Sequence, residues 1–172
     1  DMPVHAWPVD GPTNPKDLYK LDRRSQIWAY DPATDQWERV FQAPMVGALD
    51  GGEVARESGY RMMVVFQGES DPSPALYTAT WGVSRSPGSL ILRSLDGKNF
   101  EPASAYGIIP GKNVTATRVL VPFKGRLFTS PTGTRGHDVK FLINVSGLPI
   151  IYETRDPTKS EWVAACEPAF ND

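Results

Sequence analysis

The chain contains few of the residues that most often carry metal or redox chemistry. One cysteine, Cys166, and two histidines, His5 and His137, occur among 172 residues. A single cysteine excludes an internal disulfide bond, so sheet hydrogen bonds and apolar packing must hold the fold together. These three residues do not make a persuasive zinc-ligand set, and a nucleophilic cysteine would need one of the histidines as its base. We therefore expect no metal ion or other cofactor, and we interpret Cys166 as a small, partly buried residue.

Long apolar runs and a strong charge of either sign are also missing. No run approaches the roughly 20 apolar residues of a membrane-spanning helix, and residues 1–3 do not begin a signal peptide. A net charge of −2 leaves no basic surface typical of nucleic-acid binding. We expect no membrane span and no nucleic-acid partner. The absence of methionine at position 1 indicates a processed or excised chain; its compartment stays open, with an extracytoplasmic one slightly favoured.

What the chain does contain is an internal repeat. Segments 76–82 and 127–133 share a leucine, an aromatic residue, a threonine and a final glycine. Upstream, segments 61–68 and 118–125 share Arg, Val, Phe and Gly in register. Downstream, an apolar run, a turn containing aspartate and an aromatic residue recur, and this aromatic residue repeats about every 62 positions. A fixed period with unequal internal loops is typical of a repeat protein.

Each complete unit divides into four short runs rich in β-branched and aromatic residues, separated by Gly, Pro, Asp or Asn. We predict that these runs are strands A to D of an antiparallel four-stranded unit. No window follows the helical period, so little or no helix is expected. The predicted strands are 61–66, 76–81, 90–94 and 100–103 in the second unit, 118–123, 127–130, 150–154 and 162–165 in the third, and 18–21, 26–30 and 37–41, without strand A, in the first.

Such units predict an all-β chain built from β-propeller blades. The interpretation divides one propeller fragment into a partial blade (1–54), two complete blades (55–112 and 113–166) and a stub (167–172). Known propellers close with about four to eight blades. We therefore expect further blades of a longer chain, a protein partner or a homo-oligomer to complete the ring.

Two segments resemble known repeat families. Segment 30–37, Tyr-Asp-Pro-Ala-Thr-Asp-Gln-Trp, is similar to the C-to-D segment of kelch repeats. Segment 94–97, Ser-Leu-Asp-Gly, together with Phe100, resembles the Asp-box turn of sialidase-like propellers. The resemblance implies propeller architecture and transfers no catalytic residue to this chain.

Recurring positions in the C-to-D segments are interpreted as structural. Trp37, Phe100 and Trp162 recur with the period, which predicts that they are core residues. Aspartates 31, 96 and 156 also recur, and a short carboxylate that accepts backbone N–H groups stabilises a tight turn.

Loop length distinguishes the two ends of the units. The long B-to-C connections (82–89 and 134–149) and D-to-A connections (42–59 and 104–117) belong to one end of a meander. The A-to-B and C-to-D turns belong to the other end; the C-to-D turns are tight, and the A-to-B turn of the third unit has only two residues, 124 and 125. Because scaffolds present binding residues on variable loops, we expect a ligand or partner at the loop-rich end.

Four residues are candidates for ligand binding. Arg61 and Arg118 open equivalent A strands, where guanidinium groups could bind carboxylate, phosphate or a carbonyl-rich partner; the alternative is an ion pair with a neighbouring unit. Trp81 ends a B strand and is either an exposed platform for a sugar or partner side chain or a packing residue. His137, next to Asp138 in the longest loop, is the only histidine beside an acid in the sequence. We do not expect it to be catalytic.

Two functions follow from this pattern. The first is a non-catalytic binding or scaffold module that presents the loop-rich end to a protein partner or subunit. The alternative is a glycan-active, sialidase- or lyase-like propeller enzyme whose arginines hold an acidic sugar. Such an enzyme would need a nucleophile or two neighbouring carboxyl groups beside the arginines.

Overall fold

The chain is all-β and antiparallel, as its sequence predicts. The computed structural model describes residues 22–83, 85–109, 114–134 and 151–166. In these ranges, helix is limited to the 3₁₀ turn Pro157–Lys159. No helix in the described residues is long and apolar enough to cross a membrane. The predicted strand at 18–21, the stub at 167–172 and His137 lie outside the described residues.

The second unit is a four-stranded meander in chain order. Its strands A to D are β5 (Gly59–Phe66), β6 (Ala75–Trp81), β7 (Ile91–Ser94) and β8 (Glu101–Pro102). Each strand pairs antiparallel with the next. The predicted strand order of this unit is confirmed.

The third unit repeats this arrangement. Its strands are β9 (Val114–Phe123), β10 (Arg126–Thr134), β11 (Ile151–Thr154) and β12 (Val163–Cys166), again paired in chain order. One bridge between β6 and β9 joins the two units into a single sheet. Cys166 is exposed on β12, which corrects the expectation of a partly buried thiol.

The first strand of the third unit begins earlier than the sequence predicts. β9 starts at Val114, four residues before Arg118, because its first residues pair with the end of β10. Arg61 is likewise the third residue of β5. The prediction that Arg61 and Arg118 open their strands is therefore wrong, and the predicted 104–117 connection is correspondingly shorter. The predicted two-residue turn at Lys124 and Gly125 is confirmed, with φ of 47° and 71°, the left-handed values that a type I′ hairpin requires.

The repeated threonine has a structural reason. Strand A carries a β-bulge in both units, which removes a carbonyl from the regular ladder. In the second unit the hydroxyl of Thr78 donates to the carbonyl of Met62 at 3.1 Å. In the third, the hydroxyl of Thr129 donates to the carbonyl of Val119 at 2.8 Å. The B-strand threonine therefore adds a side-chain hydrogen bond to strand A beside the bulge in both units.

The first unit contributes two hairpins. β1 (Gln26–Asp31) and β2 (Gln36–Gln42) form the predicted C-to-D pair. β3 (Met45–Gly47) and β4 (Glu53–Ala55) form a second hairpin inside the connection that was predicted to be a loop. Strands of three residues are too short to show an alternating pattern, so this hairpin could not be predicted from the sequence.

The units pack face to face through alternate side chains. On the second unit we call the side carrying Leu92 and Phe100 the front face and the side carrying Phe66, Tyr77 and Ile91 the back face. The second unit's back face packs against the third unit's front face, which carries Leu127, Tyr152 and Trp162. The first unit's back face, with Ile27 and Phe41, packs against the second unit's front face. The core thus lies between units rather than within any one of them.

One predicted core residue is wrong. Phe100 and Trp162 are buried, but Trp37 is 65% exposed. Trp37 pairs with Tyr30 on the front face of the first unit, and no described residue covers that face. Trp37 occupies the same place in its unit as Phe100 and Trp162. It would be buried only if another unit packed on this front face, and the described part of the chain contains no such unit.

The two ends of the units are arranged as predicted. At the turn end, the A-to-B turn of the second unit meets the C-to-D turn of the third: the N–H of Glu69 donates to the carbonyl of Arg155 at 3.1 Å. At the loop-rich end, the N–H of Gly107 donates to the carbonyl of Ser89 at 2.9 Å, joining a D-to-A and a B-to-C loop.

Candidate functional site

The unpredicted β3–β4 hairpin forms one wall of a cleft at the loop-rich end. Its tip is attached to the B-to-C loop of the second unit by Arg85. The guanidinium of Arg85 lies 2.8 Å from Asp50 and 3.1 Å from the carbonyl of Gly51. The N–H of Leu49 also donates to the carbonyl of Arg85 at 3.0 Å. These contacts fix the hairpin against the loop, so the cleft has defined walls.

The cleft is open to solvent and is lined by both apolar and charged side chains. Its volume is about 550 Å³, and it lies between the hairpin, the B-to-C loop and the segment before β1. Val54 and Val83 give it an apolar floor, while the charged groups come from Arg23, Arg24 and Arg85 with Asp22 and Glu53. A concave site with an apolar floor and a few polar groups is the usual form of a binding site.

Two of the three arginines hold exposed ion pairs. Arg24 lies 2.7 Å from Asp22, and the hydrogen bond from its side chain is the main reason that the pKa of Asp22 falls to about 2. Arg85 is paired with Asp50. Among the described residues, Arg23 has no ion-pair partner. Because exposed ion pairs contribute little to stability, a carboxylate from a ligand could replace Asp22 or Asp50 at small cost.

A buried ion pair lies close to the cleft, at the junction of the first two units. Glu57 is fully buried and is paired with Arg56. Burial raises the pKa of Glu57, and the charge of Arg56 opposes that rise. The backbones of both residues connect to the first unit: the N–H of Ser25 donates to the carbonyl of Glu57 at 3.2 Å, and the N–H of Arg56 donates to that of Pro44 at 2.9 Å. We interpret this pair as structural.

Trp81 packs on its own unit. It is the last residue of β6 and pairs with Gly59 on β5. A Cβ atom added at Gly59 would lie 1.8 Å from the indole nitrogen of Trp81, so the ring occupies the space of the missing side chain. Trp81 is half-buried. This geometry favours the interpretation of Trp81 as a packing residue.

The other sequence candidates lie apart from the cleft. Arg61 and Arg118 are both exposed on their A strands, and neither lines it. Arg61 has no hydrogen-bond or ion-pair partner among the described residues. His137 lies outside the described residues. Arg23, Arg24 and Arg85 were not predicted from the sequence, since only the unpredicted hairpin brings them together.

A buried tyrosine–acid pair at the turn end was also missed. The hydroxyl of Tyr77 donates to Asp71 at 2.7 Å, Arg93 lies 2.8 Å from the same carboxylate, and the N–H of Gly68 donates to it at 2.8 Å. One clue is present in the sequence: Tyr77 stands where the third unit has Phe128, and a buried hydroxyl needs a partner.

The environment of Tyr77 does not suit a nucleophile. Its side chain is fully buried, and burial, followed by the hydrogen bond to Asp71, raises its pKa. A nucleophilic tyrosine needs access to substrate and an activated hydroxyl. The Tyr77–Asp71–Arg93 cluster therefore anchors the A-to-B turn to strands β6 and β7.

The cleft is our candidate site in the described part of the chain. The described residues include no group of three or more His, Cys, Asp or Glu side chains that could hold a metal ion. Its arginines are suited to binding carboxylates rather than to acid–base chemistry. Comparison with known proteins finds no matching family model, no matching curated protein and no matching solved structure.

Proposed function

We propose that the chain is a non-catalytic binding module of the β-propeller type, which presents its loop-rich end to a protein partner. The observation that carries the proposal is the cleft of about 550 Å³ beside the β3–β4 hairpin. The hairpin is an addition to the repeat, since the described residues of the equivalent D-to-A connection, 103–109, contain no strand. Structure that is added to a repeat at one loop is a common way for a scaffold to acquire a binding site.

The chemistry of the cleft favours an acidic peptide segment as the ligand. Arg23, Arg24 and Arg85 offer planar groups that can each bind a carboxylate through two hydrogen bonds. The apolar floor can take one or two aliphatic side chains of the same segment. Arg61, Arg118, Trp81 and His137 remain proposals for the wider surface.

A glutamate-rich peptide carrying a fluorescein label tests this function by fluorescence anisotropy. We expect saturable binding that weakens as salt is raised, because exposed charges are screened. Exchanging Arg23→Glu and Arg85→Glu together should weaken binding by roughly tenfold or more, since each lost charged hydrogen bond is worth about 1.5–3 kcal/mol.

A matched control is available on the same molecule. Arg39 on β2 and Lys124 in the turn after β9 are exposed and do not line the cleft, so exchanging both for glutamate changes the net charge as much as the first double exchange without changing the site. The proposal fails if the wild-type chain does not bind the peptide, if Arg39→Glu with Lys124→Glu weakens binding as much as the exchange in the cleft, or if a lysine-rich peptide binds equally well.

The glycan-active alternative has less support from the described residues. It requires an accessible nucleophile or two neighbouring carboxyl groups beside the arginines, and the two tyrosines paired with acids, which are candidates for the nucleophile, both have raised pKa values. Burial is the larger cause for Tyr77, and for exposed Tyr30 the larger cause is the hydrogen bond to Asp35. Release of a fluorescent group from a sialoside substrate by the purified chain would restore this alternative; we expect none.

A further inference from the structure

Repeat-equivalent residues differ in burial at one end of the row of units. On the second unit's back face, Phe66 is 6% exposed and Ile91 is fully buried, since the third unit covers them. Their equivalents on the third unit's back face, Phe123 and Ile151, are 58% and 38% exposed. Val163 on the same face is also exposed. The third unit therefore carries an apolar face of the kind that is buried elsewhere in the chain.

The opposite end of the row shows the reverse pattern. Trp28, Tyr30 and Trp37 are exposed on the first unit's front face. The rings of Tyr30 and Trp37 contact each other, with centroids 5.0 Å apart. Phe100 and Trp162, the counterparts of Trp37, are buried in the other two units. Aromatic side chains remove about 150–250 Å² each from water on burial, so this face has much to gain from a partner.

These two exposed faces are the two halves of an interface that the chain already forms internally. In each internal contact, the back face of one unit packs against the front face of the next. The third unit has a free back face, and the first unit has a free front face, within the described residues. Contiguous exposed apolar surface of this kind usually marks an interaction site.

We infer that the back face of the third unit binds the front face of the first unit of a second copy of this chain. The contact is head-to-tail, so it uses two different surfaces and continues the internal order of the units. If two copies make both contacts, the assembly holds twice as many units as one chain. That total lies within the range of about four to eight blades found in closed propellers. The surface is separate from the cleft at the loop-rich end.

Sedimentation velocity over a range of concentrations tests self-association. We expect a species of twice the monomer mass, whose share rises with concentration. Phe123→Glu on the back face and Trp37→Glu on the front face should each abolish it, because either change places a charge in the apolar contact. Both positions are exposed, so both variants should keep the wild-type circular dichroism spectrum and denaturation midpoint.

Mixing the two variants separates a head-to-tail contact from other kinds of association. Each variant keeps one intact face, so an equimolar mixture should form a heterodimer, held by one contact and weaker than the wild-type dimer. Leu95→Glu, an equivalent apolar-to-acid exchange in an exposed turn of the second unit, should dimerise normally. The inference is overturned if the wild-type chain stays monomeric, if either single variant still dimerises, or if the mixture does not associate.

Discussion

At the scale of single residues, the three turn aspartates show how the repeat stabilises its C-to-D connections. Each carboxylate accepts a hydrogen bond from the backbone N–H two positions later, as the sequence predicts. The pKa of all three is lowered, since hydrogen bonds favour the charged form. The acceptor–donor pairs are Asp31 with Ala33 at 2.9 Å, Asp96 with Lys98 at 2.8 Å and Asp156 with Thr158 at 3.1 Å.

The buried member of this group makes stability depend on acid pH. Burial tends to raise the pKa of Asp156, but the hydrogen bonds from Thr158 and the ammonium group of Lys159, 3.2 Å away, outweigh it and lower the pKa from 3.8 to about 2. A lowered folded-state pKa means that the carboxylate stabilises the fold above pH 3.8 and loses that contribution as the pH falls towards 2. We predict that Asp156→Asn destabilises the chain at pH 7 and that this difference shrinks between pH 4 and 2.

Urea unfolding at several pH values measures this effect. Glu161→Gln is the control, because it removes an exposed carboxylate near the same turn. Its unfolding free energy should follow the wild-type pH profile. A constant difference between Asp156→Asn and the wild type across the acid range would contradict the assigned role.

Residue roles could be predicted when they depend on near neighbours in sequence. The turn aspartates are such a case, because donor and acceptor lie two positions apart. The prediction that Trp37 is a core residue was wrong, because its burial depends on the face of another unit. Tyr77 was not recognised as part of a polar cluster, because the positions of Asp71 and Arg93 follow from the packing of a turn against a sheet.

At the scale of elements, the four-stranded units were predictable and their interruptions were not. Both complete units show the same B-to-C register: Leu76 pairs with Ser94, and Leu127 pairs with Thr154. Alternating apolar residues bounded by turn residues specify such pairing. The strands of the β3–β4 hairpin are too short for this pattern. Because the hairpin was not predicted, the cleft that it lines was not predicted either.

The loop-rich end depends on a close approach of two connections at Gly88. Its φ of +144° is unfavourable for other residues, and an added Cβ atom would lie 2.8 Å from the backbone nitrogen of Gly107. We predict that Gly88→Ala lowers the free energy of unfolding by about 1–3 kcal/mol, through strain and this backbone clash. The shift in the midpoint of chemical denaturation measures the loss.

Gly47 provides the matched control for the same exchange. It lies in β3, has no positive φ, and an added Cβ atom would meet nothing within 4 Å. Gly47→Ala should leave stability unchanged or raise it by up to about 1 kcal/mol, because alanine loses less backbone entropy on folding. Similar losses in both variants would show that the approach at Gly88 is not the cause.

At the scale of the whole molecule, the three units form a row in which apolar contacts lie between neighbours. Such arrangements behave approximately as a sum of unit and interface stabilities. The sequence predicted the units and their period, but it could not show which faces would be covered, because that depends on what stands at each end of the row. The β1–β2 hairpin lies at one end, and its Phe41 makes two aromatic contacts with the second unit, with a ring centroid 5.6 Å from that of Phe100 and 6.3 Å from that of Tyr60.

This arrangement predicts that the hairpin can open without the rest of the molecule. Phe41→Ala removes these two aromatic contacts, so the amides of segment 26–42 should exchange with deuterium on the order of tenfold faster. Those of β9 and β10 should keep their protection. Phe66→Ala, at the interface between the second and third units, should instead speed exchange in both of those units. Hydrogen exchange followed by mass spectrometry distinguishes the two patterns, and a uniform increase across the chain in Phe41→Ala would mean that the row unfolds as one cooperative unit.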